Sequence, residues 1–433
     1  MTFASRLFSA FLVCSLPFLF IAPAKGQPLY PLLETLVEEH DLIQARKARE
    51  QAASFDLRQA EGERYPHLEG VAEVGREHVD PPGELPSSDL NRTHGSLRAS
   101  QHLFDFGKRR ARIDQARTGL DLAGEQLTAT RQDLLLQGIS AYLNVYRHAE
   151  RLRLAQESER RIQDLSMLEE AMVAREAGLA SDVLQARSQL SAARSLRVQA
   201  EGRLNNALSR FQAVFGFKLE QEEIEKMVRP PSPVDDLPVT LERALGLAMD
   251  NSVELSIAER NVQMAEFERN FRRADYYPDL QLVGETTRER NDGGARGTRT
   301  EALGMVQLTW EIFSGGRKRA AVREAGHEIT AHIREKDDLE NLIQEEVEVA
   351  WENLRTARKN AVYLQEQADI LEEFLELAKR ERRLGIRSLL DVLNGEVNHL
   401  SATSEAISAD IEQDLAIYNM LYAMGLLELD TVR

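Results

Sequence analysis

The octapeptide LFDFGKRR at residues 103–110 recurs in altered form as IFSGGRKR at residues 312–319. In each copy an apolar strand end, a glycine-containing turn and a basic helix start follow one another. The same offset of 209 residues relates AYLNV at 141–145 to AWENL at 350–354. Self-similarity at a fixed spacing indicates that the chain is a duplicated unit of about 200 residues.

Three further matches keep the same order in both copies. They are Tyr65-Pro66 with Tyr277-Pro278, the turn Gly178 to Asp182-Val183-Leu184 with Gly385 to Asp391-Val392-Leu393, and VFG at 214–216 with AMG at 423–425. A proline-rich, acidic segment lies between the copies. We therefore assign residues 25–216 to the first copy, 217–238 to a linker and 239–433 to the second copy.

Residues 1–24 predict a signal peptide. One basic residue precedes an apolar run that Pro17 interrupts, and Ala22-Pro23-Ala24 has the small residues of a cleavage site. An uncleaved anchor is the alternative interpretation. The only cysteine, Cys14, lies in this segment, so a processed chain has no disulfide or thiolate chemistry. The protein is expected to leave the cytosol.

Each copy predicts a helix, a β-hairpin, a long helix and a further helix. The hairpins are expected at about 68–106, with a loop at 80–93, and at about 280–313, with a glycine-rich loop at 291–297. Within the last strand Val306, Leu308 and Trp310 alternate with polar residues. The hairpins either enter a membrane or lie on the surface of a soluble protein.

Aromatic residues mark the ends of the predicted strands, where a membrane interface favours them. They are Tyr65, Phe104, Phe106, Tyr277, Trp310 and Phe313. The basic runs at 108–112 and 317–319 follow the second strand of each hairpin. These runs either face lipid phosphates or form surface salt bridges.

The strongest periodicity lies between Ile343 and Ala378, where apolar residues recur in alternating steps of four and three. They are Ile343, Val347, Ala350, Leu354, Ala357, Ala361, Leu364, Ala368, Leu371, Leu375 and Ala378. A seven-residue repeat over five heptads predicts a left-handed coiled coil. Residues 318–384 contain no proline, so one helix of about 100 Å is expected.

Composition excludes several classes of function. The chain has 54 basic and 71 acidic residues, a net charge of −17, so no nucleic acid is expected as a partner. The nine histidines form no spacing typical of a metal site, and no set of residues converges as in a catalytic cleft. We predict no metal, no cofactor and no enzymatic activity.

The predicted strands, about 8–11 residues each, have the length of tilted membrane-spanning strands. Four strands do not close a barrel, and an open edge in lipid leaves backbone groups unpaired. Two copies would supply eight strands and a filled barrel, whereas three would supply twelve strands and a lumen. An export signal, short strands and long helices therefore favour an outer-membrane channel with a periplasmic extension.

The paired strand ends and the two glycine-to-Asp-Val-Leu turns resemble those of the TolC-type outer-membrane factors, across essentially the whole mature chain. The resemblance implies a mainly α fold with a small β part and an internal two-fold repeat. It also implies a homotrimer, in which four strands per chain contribute to a 12-stranded transmembrane β-barrel continued by a coiled-coil α-helical barrel. Such a duct sits in the Gram-negative outer membrane, in contact with its lipid.

The family works with a periplasmic adaptor and an inner-membrane pump, either ABC-type or proton-driven. The turn sequences resemble type I protein secretion members more than drug-pump members. Small-molecule efflux is the alternative, and a soluble periplasmic coiled-coil scaffold is a further one.

The same resemblance implies a periplasmic gate at the start of the last helix. Asp391 matches the first ring aspartate of the family, and Asn394 stands in place of the second. Arg387 matches a link arginine, Asp182 its carboxylate partner, and Arg382 replaces an expected tyrosine. The alternative is that Asp391 caps the helix or faces water.

Overall fold

The computed structural model describes residues 29–80, 82–83, 86–176, 179–234 and 237–432. The predicted signal peptide and Gly178 lie outside these residues. The first copy consists of α1 Leu29–Glu39, α2 Asp41–Gly62, β1 His67–Val79, β2 Ser88–Phe104, α3 Lys108–Ala174 and α4 Ala180–Phe215. A short α5, Gln221–Glu225, lies in the linker. The second copy consists of α6 Leu241–Asn251, α7 Val253–Ala274, β3 Asp279–Arg290, β4 Thr298–Thr309, α8 Arg317–Arg383 and α9 Leu389–Ala423. A 3₁₀ turn, Leu429–Val432, ends the described chain.

The internal repeat is present element by element. α3 and α8 each have 67 residues, and α2 and α7 each have 22. At 1.5 Å per residue the two long helices are each about 100 Å long. This confirms the predicted fold class of a mainly helical chain with four strands. The first predicted helix is divided, because His40 ends α1 and its Nδ1 accepts a hydrogen bond from Leu42 N at 3.1 Å.

The repeated octapeptides form the turns between strand and long helix. Gly107 and Gly316 precede α3 and α8 with φ of 89° and 86°. Only glycine adopts this left-handed conformation without strain. The preceding residues, Phe106 and Gly315, also have positive φ, 52° and 63°. Two successive left-handed residues redirect the chain from the sheet into the helix.

The predicted heptad of α8 packs against α9. Nine of its eleven apolar positions are buried, and Leu364 and Leu371 are partly buried. α3 packs on α4 in the same way, and contacts between α3 and α9 join the two pairs. The four helices therefore lie side by side in the order α4, α3, α9, α8. The many alanines of the α8 seam allow α9 to approach closely.

The main core lies midway along the long helices, where the shorter helices cover them. Tyr142, Phe211 and Tyr418 are completely buried there. Gly138 of α3 allows this close packing, because a Cβ at that position would lie 2.6 Å from the end of the Leu33 side chain of α1. An added methyl group would force that buried side chain to move.

The linker is bound to this core. Tyr142 OH donates a hydrogen bond of 2.9 Å to Val228 O. Arg229 Nε and Asp414 Oδ2 are 2.6 Å apart, and Arg229 also binds Asp410 at 3.0 Å. The hydrogen bond to Asp414 raises the pKa of Arg229. The linker thus joins the two copies through α3 and α9.

The strands form one antiparallel sheet in the order β1-β2-β3-β4. The two hairpins are joined by pairing of β2 with β3, which begins at Thr93 opposite Arg290. The predicted loop at 80–93 was wrong in its second half, since β2 already begins at Ser88. Leu90 is the one apolar residue among residues 88–93, so no alternation of apolar and polar residues shows in the sequence there. β4 likewise ends at Thr309, before the predicted limit of 313.

No helix within the described ranges combines the length and the apolar character needed to cross a membrane.

Candidate functional site

One face of the sheet is apolar. Starting at the end nearest the long helices, Leu280 lies between Phe104 and Leu308, and Leu282 lies opposite Val306. The same face continues with Leu68, Ala72, Val74, Leu97, Ala99 and Ala302. Many of these side chains are exposed in the single chain, Val74 to 82%. A regular, exposed apolar band of this kind is typical of strands that face lipid.

The opposite face is polar and borders a cavity, so we name it the concave face and the apolar face the convex face. Ser100, His102, Asp279 and Thr309 of this face line a cavity of about 1220 Å³ between the sheet and the helices. On the strands this face carries seven carboxylates and three guanidinium groups, whereas the apolar face carries one carboxylate and three guanidinium groups. The polar face therefore suits the water-filled side of a barrel.

Both outer edges of the sheet lack a partner within the described chain. β1 pairs with β2 and β4 pairs with β3, which leaves one side of β1 and one side of β4 without strand neighbours. Every residue of β4 is exposed. Because an unpaired edge is unfavourable in lipid, the sheet is incomplete without further strands.

The six predicted interface aromatics all lie at the helix end of the sheet. Phe104 packs edge-on against Phe106, with ring centroids 4.7 Å apart, and Phe106 stacks on Tyr277 at 4.8 Å. Trp310 Nε1 donates a hydrogen bond of 3.0 Å to Tyr276 O. Phe313 and Tyr65 are 86% and 73% exposed. Tyr65 and Tyr277 also border the concave cavity, and the interface role of the six residues stays a prediction.

The basic runs below the sheet form ion pairs. Lys108 Nζ lies 2.6 Å from Asp275 Oδ1, and Arg109 Nε lies 2.6 Å from Asp105 Oδ2. In the second copy Arg317 binds Glu311 at 3.1 Å. These side chains line the concave cavity. Of the two alternatives for the basic runs, the structure favours salt bridges over contact with lipid phosphates.

The predicted gate residues lie at the far end of the long helices. α8 ends at Arg383, the chain turns at Gly385, and Ser388 caps α9 by accepting a hydrogen bond from Asp391 N at 3.2 Å. Asp391 is therefore in the first turn of α9 rather than at its cap. Asp391 and Asn394 are both exposed. In this position the positive end of the helix dipole favours the Asp391 carboxylate.

The three predicted link residues make different contacts within one chain. Arg387 Nε lies 2.6 Å from Glu381 Oε2. Arg382 NH2 lies 2.6 Å from Glu169 Oε1, which joins α8 to α3. Asp182 lies in the first turn of α4, where Ser181 Oγ is 3.3 Å from its Oδ1. Of these three residues, Arg382 is the one that links the two copies, through Glu169.

Two buried carboxylates at the tip were not predicted from the sequence. The side chains of Glu169 and Glu396 are each only 2% exposed. Glu396 Oε1 lies 2.9 Å from Lys379 Nζ of α8, and its Oε2 lies 3.4 Å from Arg161 NH1 of α3. The sequence did indicate that Glu396 would be buried, because Glu396 follows Leu389 and Leu393 at helical spacing on the seam of α9. A charge at a seam position needs a partner.

Among the described residues, no group of three or more His, Cys, Asp and Glu side chains is arranged to hold a metal ion.

Comparison with known proteins identifies relatives over most of the chain. The sequence profile of the outer membrane efflux protein family matches residues 32–216 and 244–425, one match in each copy. The alkaline protease secretion protein AprF of Pseudomonas aeruginosa is 25% identical over 347 residues, covering 77% of this chain and 69% of AprF. The outer membrane efflux protein BepC of Brucella suis biovar 1 is 23% identical over 374 residues, covering 84% of this chain and 78% of BepC.

The fold matches a solved structure of CusC, described in connection with transmembrane channel formation. The TM-score is 0.79 at 18% identity, with 92% of each chain covered. At this identity the likeness concerns the fold alone.

Proposed function

The chain belongs to the outer membrane efflux protein family and is an outer-membrane exit duct with a periplasmic tunnel, and we propose that it exports unfolded proteins in a type I secretion system. One observation carries the duct mechanism. The sheet has an apolar convex face, a polar concave face and two open edges. Copies that pair β4 with β1 of the next chain cover both edges, and three copies give twelve strands around a lumen.

A pair of neighbouring residues tests this mechanism. Trp310 follows β4 on the apolar face, whereas Thr309 lines the concave cavity. Trp310→Asp places a charge against lipid, and we expect loss of trimers from the outer-membrane fraction. Thr309→Asp places the same charge in the lumen and should leave trimers at the wild-type level. Normal outer-membrane trimers from Trp310→Asp would contradict the assignment of the faces.

The helix tips are proposed to form the periplasmic gate. In a trimer three copies of Asp391 and Asn394 surround the axis, and three carboxylates at a narrow opening repel anions and attract cations. Arg387, Arg382 and Asp182 are proposed to hold the turns in place. Support comes from their common position at the tip and from the ion pair of Arg382 with Glu169.

Conductance in planar lipid bilayers tests the gate. Asp391→Ala removes the charge ring, and we expect a higher closed-state conductance and weaker preference for cations. Glu366→Ala is the matched control, because Glu366 is an exposed carboxylate on α8 far from the turn. Unchanged conductance and selectivity in Asp391→Ala would remove this residue from the gate.

The names of the two relatives refer to different classes of cargo. The name of AprF refers to protease secretion and that of BepC to efflux, and AprF has the higher identity. The large cavity is lined mainly by charged and polar side chains, whereas sites that retain small drug-like molecules are mostly apolar. A hydrated, charged wall offers few apolar contacts, so an extended polypeptide can pass along it without binding.

Deleting the chain from its host separates the two cargo classes. For protein secretion we expect one or a few extracellular proteins to disappear from the medium, with unchanged susceptibility to toxic small molecules. Hypersensitivity to such compounds with an unchanged set of extracellular proteins would instead support small-molecule efflux.

The proposed partners follow from the passive character of the duct. A homotrimer of this chain would dock through a periplasmic adaptor onto an inner-membrane pump that supplies the energy. An ABC-type pump suits protein export, and a proton-driven pump would accompany the efflux alternative. Crosslinking of the helix tips in intact cells should capture the adaptor.

A further inference from the structure

Two arginines lie on the convex face of the sheet, at the end opposite the helices. Arg288 of β3 is level with Gly95 of β2 and Thr300 of β4. Arg290, two residues further along, is level with Thr93 on the one side. Alternate residues of a strand share a face, so both side chains point away from the concave cavity. Both residues are exposed.

These two side chains differ from the other strand arginines, most of which have carboxylate partners. Arg76 binds Asp89 at 2.6 Å, and Arg92 binds Glu73 at 3.3 Å. Arg299 binds Glu301. Within the described part of the chain, neither Arg288 nor Arg290 forms an ion pair, and their small cross-strand neighbours leave the guanidinium groups accessible. Their convex face carries only one strand carboxylate, Asp89, which Arg76 already binds.

Their height in the membrane follows from the strand geometry. Ten residues separate Trp310, at the helix end, from Thr300, which is level with Arg288. At about 3.4 Å per residue and a tilt of about 40°, this distance corresponds to about 26 Å along the barrel axis. The apolar band of an outer-membrane barrel is about 25 Å high. Arg288 therefore lies where the apolar layer ends, on the side away from the periplasm.

We propose that Arg288 and Arg290 bind the phosphate groups of an outer-leaflet glycolipid, the phosphorylated lipid A anchor of lipopolysaccharide. The planar guanidinium group forms two parallel hydrogen bonds with a phosphate, and two such groups on one strand fit a bisphosphorylated sugar. Leu97 lies one step below on the neighbouring strand, beside Thr286, where acyl chains would pack. A trimer would present three such sites around the barrel.

Lipid titration of detergent-purified wild-type trimers, followed by native mass spectrometry, tests the site. Bisphosphorylated lipid A should bind to three sites per trimer, and dephosphorylated lipid A should bind much more weakly. Each basic residue near an anionic lipid surface contributes about fivefold in affinity, so Arg288→Gln with Arg290→Gln should weaken binding about 25-fold. The charge-conserving pair Arg288→Lys with Arg290→Lys should retain most of it.

The matched control removes two charges from the concave face, with Arg98→Gln and Arg299→Gln. These trimers should bind lipid A like the wild type. Equal binding by the wild type and the Arg288/Arg290 glutamine variant would overturn the proposal. Equal binding of bisphosphorylated and dephosphorylated lipid A to the wild-type trimer would also overturn it. Inorganic phosphate at millimolar concentration should not displace the lipid. Full displacement would identify a site for free anions and overturn the assignment to lipid. The test is independent of the cargo and the gate.

Discussion

Around Tyr142 and Tyr418 the long helices share an apolar core with α1, α2, α5, α6 and α7, whereas around Glu169 and Glu396 they meet through two much smaller apolar clusters and ion pairs. In the middle, many large apolar side chains would be exposed if the helices separated. At the tip, separation exposes far fewer apolar side chains, and the charged groups regain water.

This difference shows where the tunnel wall can open. Burial of apolar area is the dominant stabilising contribution, and it is concentrated midway along the helices. Ion pairs contribute little net stability, because their desolvation opposes their attraction. The tip is therefore expected to open at a lower free energy than the middle, as a local transition. This is the property that a gate requires.

The largest effect is expected from Asp414→Ala in the middle. The side chain of Asp414 is 1% exposed and binds Arg229 at 2.6 Å. The change removes three hydrogen bonds, from Arg229 Nε, Arg229 NH2 and Ser232 Oγ, at about 1–1.5 kcal/mol each, so we expect a loss of about 3–4 kcal/mol. Arg229 itself is 35% exposed and keeps its ion pair with Asp410. Thermal unfolding of the trimer should shift accordingly. Asp410→Ala is the control, since Asp410 binds the same arginine but is 40% exposed, and it should cost about 1 kcal/mol or less.

The second-largest loss of stability is expected from a backbone change in the middle region. Gly425 has φ of 69°, and a Cβ there would lie 2.4 Å from Asn251 O. Gly425→Ala combines left-handed strain with a clash against the backbone, and we expect a loss of about 2–4 kcal/mol. Gly246→Ala in α6 is the control, because nothing lies within 4 Å of its Cβ position. A helical alanine should be neutral or stabilising. Equal unfolding temperatures for the two variants would contradict the packing described.

A change at the tip should raise the closed-state conductance with little loss of global stability. Arg382→Gln leaves Glu169 without its charged partner. If the tip opens locally, Glu169 regains water, so global stability should fall by about 1 kcal/mol or less while closed-state conductance rises. A drop in unfolding temperature as large as that of Asp414→Ala, without added conductance, would show that tip and middle form one cooperative unit.

At neutral pH the smallest effect concerns His148, between the two regions. Burial, followed by the charges of Arg147, Arg151 and Arg203, lowers the pKa of His148 to about 4. The unfolded chain binds this proton near the ordinary pKa of about 6.5. Stability is therefore complete above pH 6.5 and falls as the pH decreases toward 4. His148→Gln should reduce the change in unfolding temperature between pH 7 and pH 4. An unchanged pH dependence would show that His148 does not contribute to it.

Sequence periodicity predicted the repeated elements well, because local geometry decides them. The seam from Ile343 to Ala378 and the turns at Gly107 and Gly316 depend on nearby residues. The strand limits were harder to predict, since Leu90 is the one apolar residue among residues 88–93 and a single residue shows no alternation. The partners of Glu169 and Glu396 were not predictable, because Arg382 lies 213 residues from Glu169 and the two meet only in the tertiary fold.

The most direct test of the account is the detergent-corrected mass of the mature protein extracted from cell membranes. We expect a mass about three times that of one chain, recovered from the outer membrane, because three sheets are needed to close a barrel with a lumen. A monomer or dimer recovered without detergent would contradict it, since the apolar face and both edges of the sheet would then remain in water.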